Sequence, residues 1–202
     1  DFCPVPTIDC SHGATIASAS EDGTIILWDA ATGKRLDTLA GHKGGVLSVT
    51  YSPDGRLLAS GGDDATVRLW DSAVGGQLAE LSDHSGFVNL VLFSPDGAWL
   101  ASGGSDGQVR LWNVNDLAAG STLLPGHELA VYVLSFSPNS RFLASADDAG
   151  AVRLWNVGEG GGGSLLGRHA GNVRGLAFAQ GEDGPVLVSA GYDGQVRLWD
   201  YR

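Results

Sequence analysis

One phrase recurs five times along the chain, and it limits the possible folds more than any other feature. Residues 93–113, FSPDGAWLASGGSDGQVRLWN, have a near copy at 51–71 (YSPDGRLLASGGDDATVRLWD), looser copies at 136–156 and 178–200, and a worn copy at 10–29 (CSHGATIASASEDGTIILWD). Trp28, Trp70, Trp112, Trp155 and Trp199 close the five units at steps of 42, 42, 43 and 44 residues. His42, His84, His127 and His169 keep nearly the same step, at 42, 43 and 42. Self-similarity at such a period means that one supersecondary unit is built repeatedly and that neighbouring units bury one another's apolar faces. Residues 1–202 are therefore expected to form a single domain.

Within a unit the signals are those of short strands. Val46, Val49 and Tyr51 bracket one apolar strand, 57–60 make a second and 77–81 a fourth. The third, 66–70, puts Val67 and Leu69 on one face and Arg68 and Trp70 on the other. Turn signals every 8–12 residues without a sustained helical period predict an all-β fold. In Ser52-Pro53-Asp54-Gly55 the proline presets φ, the aspartate bonds its own backbone, and the glycine accepts the positive φ that the hairpin requires. The fourth copy, Ser137-Pro138-Asn139-Ser140, lacks that glycine, and the fifth lengthens the turn to 179–184. Less regular hairpins are expected at both.

The Gly41-His42 and Gly126-His127 pairs, the SPDG turns, the Leu-Ala-Ser strands and the Val-Arg-Leu-Trp-Asp endings resemble the WD-repeat (WD40-type) β-propeller family. The resemblance runs from about Val5 to Asp200. It implies a ring of four-stranded blades, five of them here. It also implies that an outer strand donated from the N-terminus closes such a ring. Val5 already aligns with Val46, and the chain stops at the end of a third strand, so the last blade is expected to lack its outer strand. Five blades can close a ring. The family resemblance makes seven commoner, and an open or truncated array is favoured over a closed five-bladed ring. The absence of methionine suggests a processed chain or an excised fragment. An unpaired edge at 196–199 would be open to self-association.

A serine stands ten residues before each repeat tryptophan: Ser18, Ser60, Ser102, Ser145 and Ser189. Six before it stand Asp22, Asp64, Asp106, Ala149 and Asp193. A Ser-His-Asp hydrolase could be read into these residues. An active site is needed once, however, whereas these sets recur in nearly every unit. The family resemblance implies instead a buried structural tetrad, with full sets at His42, Ser60, Asp64, Trp70; at His84, Ser102, Asp106, Trp112; and at His169, Ser189, Asp193, Trp199. The His127 set has Ala149 where aspartate is expected, with Asp147 and Asp148 nearby, so the fourth blade is expected to be the least rigid. The same repetition argues against a histidine metal site. Gly158, Gly160 and Gly163 fit a dinucleotide fingerprint, but no helix pattern follows them. Neither a cofactor nor a metal is predicted. Arg68, Arg110, Arg153 and Arg197 are expected to cover tryptophan faces or the rim rather than to form a basic groove.

The formal charge of −11, from 23 acidic and 12 basic residues, disfavours nucleic acid and favours basic partners. No apolar run approaches a membrane span, so a soluble, cytoplasmic or nuclear chain is expected. Cys3 and Cys10 on one strand would lie roughly 23 Å apart, against the ~4.4–6.8 Å that a disulfide needs, and are expected to be free thiols.

Function should sit where aligned copies change character. The position before the first strand holds Gly45, Phe87, Ala130 and Asn172; two residues on stand Leu47, Asn89, Tyr132 and Arg174; the second turn holds Glu21, Asp63, Ser105, Asp148 and Tyr192. Phe87, Asn89, Tyr132, Arg174, Tyr192, Asp63 and Asp148 are the candidates for reading a protein or peptide partner, because rigid scaffolds carry binding on variable loops. The expected function is a noncatalytic protein-interaction scaffold. Two alternatives stand beside it: a sensing segment of a larger multidomain enzyme, and a ubiquitin-ligase substrate receptor, to whose docking signature Trp199-Asp200-Tyr201-Arg202 is similar.

Overall fold

The computed structural model describes residues 8–9, 15–160, 163–181 and 184–201. Cys3, Val5, Cys10, Arg202 and the middle of the 179–184 turn lie outside the described residues. Among the described residues nineteen strands form five antiparallel sheets, one per repeat. The first holds β1 (Ile8–Asp9), β2 (Thr15–Ala19), β3 (Thr24–Asp29) and β4 (Arg35–Ala40), and the second β5 (Val46–Tyr51), β6 (Leu57–Gly62), β7 (Val67–Asp71) and β8 (Gln77–Leu81). The third holds β9 (Val88–Phe93), β10 (Trp99–Gly104), β11 (Val109–Asn113) and β12 (Ser121–Leu124). The fourth holds β13 (Val131–Phe136), β14 (Phe142–Asp147), β15 (Ala151–Asn156) and β16 (Gly163–Arg168). The fifth has three strands, β17 (Val173–Gly181), β18 (Gly184–Gly191) and β19 (Val196–Asp200). No helix among the described residues is long and apolar enough to cross a membrane.

The first strands of successive sheets lie side by side, β1 by β5, β5 by β9, β9 by β13 and β13 by β17. Among the described residues no comparable packing joins β17 to β1. The core is divided into four clusters, each shared by two adjacent blades. Between the second and third blades, Ala59, Val67 and Leu69 meet Val88, Val91, Phe93, Leu100 and Trp112. The period-2 alternation seen in the sequence thus gives every inner blade two apolar faces. Leu58, Leu100, Leu143 and Leu187, at one repeat position, are fully buried, and burying each contributes about 1.5–3 kcal/mol.

The fifth blade departs from this pattern on one face. Val67 and Leu69 are 0% and 1% exposed, but their counterparts Val196 and Leu198 are 64% and 68% exposed. Among the described residues no fourth strand pairs with β19.

The first turns are more uniform than the sequence suggests. Ser52 Oγ donates to Asp54 Oδ1 at 2.7 Å and accepts from the Leu57 amide at 3.0 Å. Ser137 repeats both bonds with Asn139 and Phe142, at 2.7 and 2.9 Å. The irregular fourth hairpin expected from the missing glycine is not observed. Ser140 itself adopts the glycine conformation, φ 58°, and its Oγ accepts the Asp96 amide of the preceding blade at 3.1 Å.

Ala65 does the same in the second turn of blade two, at φ 62°, where the other copies have Gly23, Gly107, Gly150 and Gly194. A Cβ in this region costs about 1–2 kcal/mol, part of which glycine returns as unfolded-chain entropy. Ala65→Gly is expected to stabilise the protein by roughly 0.5–1 kcal/mol; a lower denaturation midpoint would contradict this.

Candidate functional site

Five of the seven residues singled out in the sequence line one concavity. Asp63, Phe87, Asn89, Tyr132 and Arg174 surround a cavity of about 570 Å³ together with Glu21 and Leu47. These seven come from five successive repeats, spaced along the chain but gathered where the first strands meet.

Two local devices bring them there. The first is a bulge repeated in the first strands of the second to fifth blades. In the second blade Val46 pairs with Gly62 and Ser48 with Gly61, so Leu47 is skipped. Asn89, Tyr132 and Arg174 are skipped likewise in β9, β13 and β17. A bulge leaves one residue without a partner opposite and turns its side chain away from the ordinary pleat; here each such residue lines the cavity. The second device ties the second turn to the residue ahead of the first strand. The amides of Asp63, Ser105, Asp148 and Tyr192 donate to the carbonyls of Gly45, Phe87, Ala130 and Asn172 at 2.8–3.0 Å. The variable columns of the repeat are thereby held next to each other.

Beneath the turns lie the polar sets. His42 Nδ1 donates to Asp64 Oδ1 at 2.9 Å, Ser60 Oγ donates to His42 Nε2 at 2.8 Å, and Trp70 Nε1 donates to Ser60 Oγ at 2.9 Å. Because a carboxylate only accepts, Nδ1 carries the proton and Nε2 takes the serine hydroxyl. His169, Asp193, Ser189 and Trp199 repeat the chain at 2.9, 2.7 and 2.8 Å. The aspartates also accept the amides of Lys43, Ser85 and Ala170, so each set clamps the turn that presents Asp63, Ser105 or Tyr192.

Two sets differ from the expectation. In the fourth blade Asp147 replaces the missing aspartate: its Oδ2 accepts from His127 Nδ1 at 2.8 Å, and Ser145 links His127 to Trp155 at 2.6 and 2.7 Å. The reason given for a loose fourth blade is therefore removed. In the third blade His84 reaches Asp106 and Ser102, at 3.0 and 2.6 Å, but the buried Trp112 Nε1 has no hydrogen-bond partner among the described residues. Ser60, Ser102, Ser145 and Ser189 are all buried, so none offers its hydroxyl to a substrate on the surface.

Burial pushes His42, His84 and His127 below the usual 6.5, against the upward pull of their aspartates. Asp64, which burial alone would raise, is held at about 2 by the Lys43 amide, His42 and Thr66. Asp193 is held at about 2, mainly by His169. In each case the unfolded chain takes up a proton before the folded one does, so acid favours unfolding. The melting temperature is expected to be flat from pH 8 to about 7, to fall as pH drops through 6.5, and to fall further between about 4 and 2. A melting temperature that rises between pH 7 and 5 would contradict the assignment of neutral histidines.

Around the cavity, the Arg174 guanidinium sits 4.2 Å from the Tyr132 ring centre and 5.7 Å from that of Tyr192, and lies 3.6 Å from Asp148. Tyr192 and Asp148 thus stand behind Arg174 rather than on the cavity wall. Asn172 Nδ2 holds Asp148 at 2.8 Å, and Asn89 Nδ2 donates to the Val131 carbonyl at 3.1 Å. Phe87 is 53% exposed. Glu21 and Leu47 stand in the same repeat columns as the chosen residues; the signal was present, but neither breaks the repeat in character. The bulges had no sequence signal.

Three of the strand arginines serve their own blades, and Arg197 donates to the Arg168 carbonyl of the preceding blade at 2.6 Å. Arg68 reaches Glu80 at 2.9 Å and Gln77 at 2.6 Å, Arg110 donates to Ser121 at 2.9 Å, and Arg153 lies 5.8 Å from the Trp155 ring centre. Among the described residues no three His, Cys, Asp or Glu side chains gather as a metal site.

Residues 9–202 match the family described as the IFT122 first beta-propeller. Shorter matches include the nuclear distribution protein PAC1 of Arthroderma benhamiae, 52% identical over 46 residues, which are 23% of this chain and 10% of that protein. The WD40 repeat-containing protein HOS15 of Arabidopsis thaliana is 51% identical over 41 residues, 20% of this chain and 7% of that protein. The chain spans about a tenth or less of the length of these curated relatives.

Proposed function

Since the chain belongs to the IFT122 first beta-propeller family, of WD-repeat propeller type, we propose that it is a noncatalytic scaffold that binds a protein or peptide partner at the cavity where its blades converge. The observation that carries this reading is that Asp63, Phe87, Asn89, Tyr132 and Arg174, chosen because they break the repeat, line one concavity. A structural need would be met by repeating one residue around the bulges, as the tetrads repeat theirs. Instead each blade places a different side chain there, which is what recognition of a single asymmetric partner requires. The acidic balance of the chain supports a basic partner and disfavours nucleic acid. A cytoplasmic location fits the reading.

The test is affinity capture with the wild-type chain as bait beside the Tyr132→Ala, Arg174→Ala double variant. The expected result is loss of the same captured protein, by more than about tenfold, with an unchanged melting curve. Equal capture by both baits would remove the cavity as the binding site.

A further inference from the structure

The cavity is electrically lopsided, and its polarity indicates which side chain it takes. Glu21 and Asp63, from the first two repeats, form one wall; Tyr132 and Arg174, from the fourth and fifth, form the other; Phe87 stands between. The cation on the far wall is already engaged. Arg174 is stacked on Tyr132, flanked by Tyr192 and paired with Asp148, so its position in the lining is fixed by contacts within the chain. Asp63 is exposed, and among the described residues its carboxylate makes no hydrogen bond or ion pair; only its backbone amide is bonded, to the Gly45 carbonyl. The Asp63 carboxylate is therefore the anionic group that this lining offers to a ligand, within a chain of net charge −11.

Resting on the reading that this cavity binds a peptide, we propose that it seats one arginine or lysine side chain of an extended segment. The stem of that side chain lies on the Phe87 ring, and its cation faces Asp63. The internal precedent is Arg174 itself: the same cavity already holds a guanidinium over the Tyr132 ring at 4.2 Å, the arrangement in which an aromatic face attracts a cation. Phe87 offers a second, half-exposed ring in the same lining as Asp63. Arg174 then acts as a positioning residue. Held by Asp148 and two tyrosines, it closes the far end and repels a second cation, which sets the register of the bound segment. A neutral or acidic residue is favoured next to the anchor.

The probes are acetyl-Gly-Arg-Gly amide, its citrulline counterpart of equal shape and no charge, and acetyl-Gly-Glu-Gly amide. Each is titrated into the intact isotope-labelled chain while backbone amide signals are followed. The arginine probe is expected to move the signals of Asp63, Phe87 and Asn89, and the citrulline probe to bind about tenfold more weakly. Asp63→Asn and Phe87→Ala should each weaken the arginine probe about fivefold to tenfold, while Leu198→Ala, on the fifth blade away from the cavity, leaves it unchanged. Equal binding of arginine and citrulline, tighter binding of the glutamate probe, or no response to any probe would each overturn the assignment of a cationic anchor. These outcomes are separable from failure of the broader reading. If the probes show no charge preference while capture of a partner still depends on Tyr132 and Arg174, the scaffold role stands and only the anchor falls.

Discussion

Ser60→Ala is expected to destabilise the protein by about 3 kcal/mol and Ser102→Ala by about half as much, although the two serines occupy one repeat position and are equally buried. The difference follows from the hydrogen bonds each one makes. Ser60 Oγ donates to His42 Nε2 and accepts from Trp70 Nε1, at 2.8 and 2.9 Å. Its removal leaves two buried polar groups without partners, at roughly 1–3 kcal/mol each. Ser102 Oγ serves His84 Nε2 at 2.6 Å, but the Trp112 indole is already without a partner among the described residues, so one new orphan is created. Chemical denaturation of both variants measures the contrast, and equal losses would mean that Trp112 is bonded in solution as the other repeat tryptophans are. The hydrolase alternative makes a different forecast: either serine would be needed for turnover and not for stability.

A second pair compares one repeat position in two surroundings. Leu111 and Leu198 each precede a repeat tryptophan by one residue. Leu111 is 2% exposed and packs with Val131, Leu134 and Trp155 between the third and fourth blades. Leu111→Ala should therefore cost about 3 kcal/mol, the usual loss when a buried leucine leaves a cavity. Leu198 faces solvent, and Leu198→Ala is expected to stay within about 0.5 kcal/mol of wild type. A loss at Leu198 comparable to that at Leu111 would show that this face is covered in solution, as the self-association expected from the unpaired edge requires.

The architecture was legible because repetition multiplies a weak signal: one SPDG turn is a hairpin hint, whereas five aligned phrases define a unit. The site was legible for the converse reason, since Phe87, Tyr132 and Arg174 stand out only against a regular background. What escaped was local. The bulges that turn Leu47, Asn89, Tyr132 and Arg174 into the cavity are matters of strand register, and a skipped residue looks like any other in a strand pattern. Asp147 was noted as a neighbour but not placed in the set, because a fixed offset from the tryptophan falls on Ala149; a carboxylate two residues earlier reaches the same histidine, with 2.8 Å between the bonded atoms. Ser140 shows that a missing glycine does not forbid positive φ when a hydroxyl finds a partner in the next blade.

Among the described residues no apolar cluster contains residues of blades that are not neighbours. Cooperativity in such an arrangement is handed from one sheet to the next, as in a row of dominoes, and the weakest links are the first and fifth blades, each of which, among the described residues, shares a core cluster with a single neighbour. The array should therefore fray from its flanks inward. The cavity draws its acidic wall from one flank and its arginine from the other, so the first loss on warming would be recognition, while most of the sheet structure still stood.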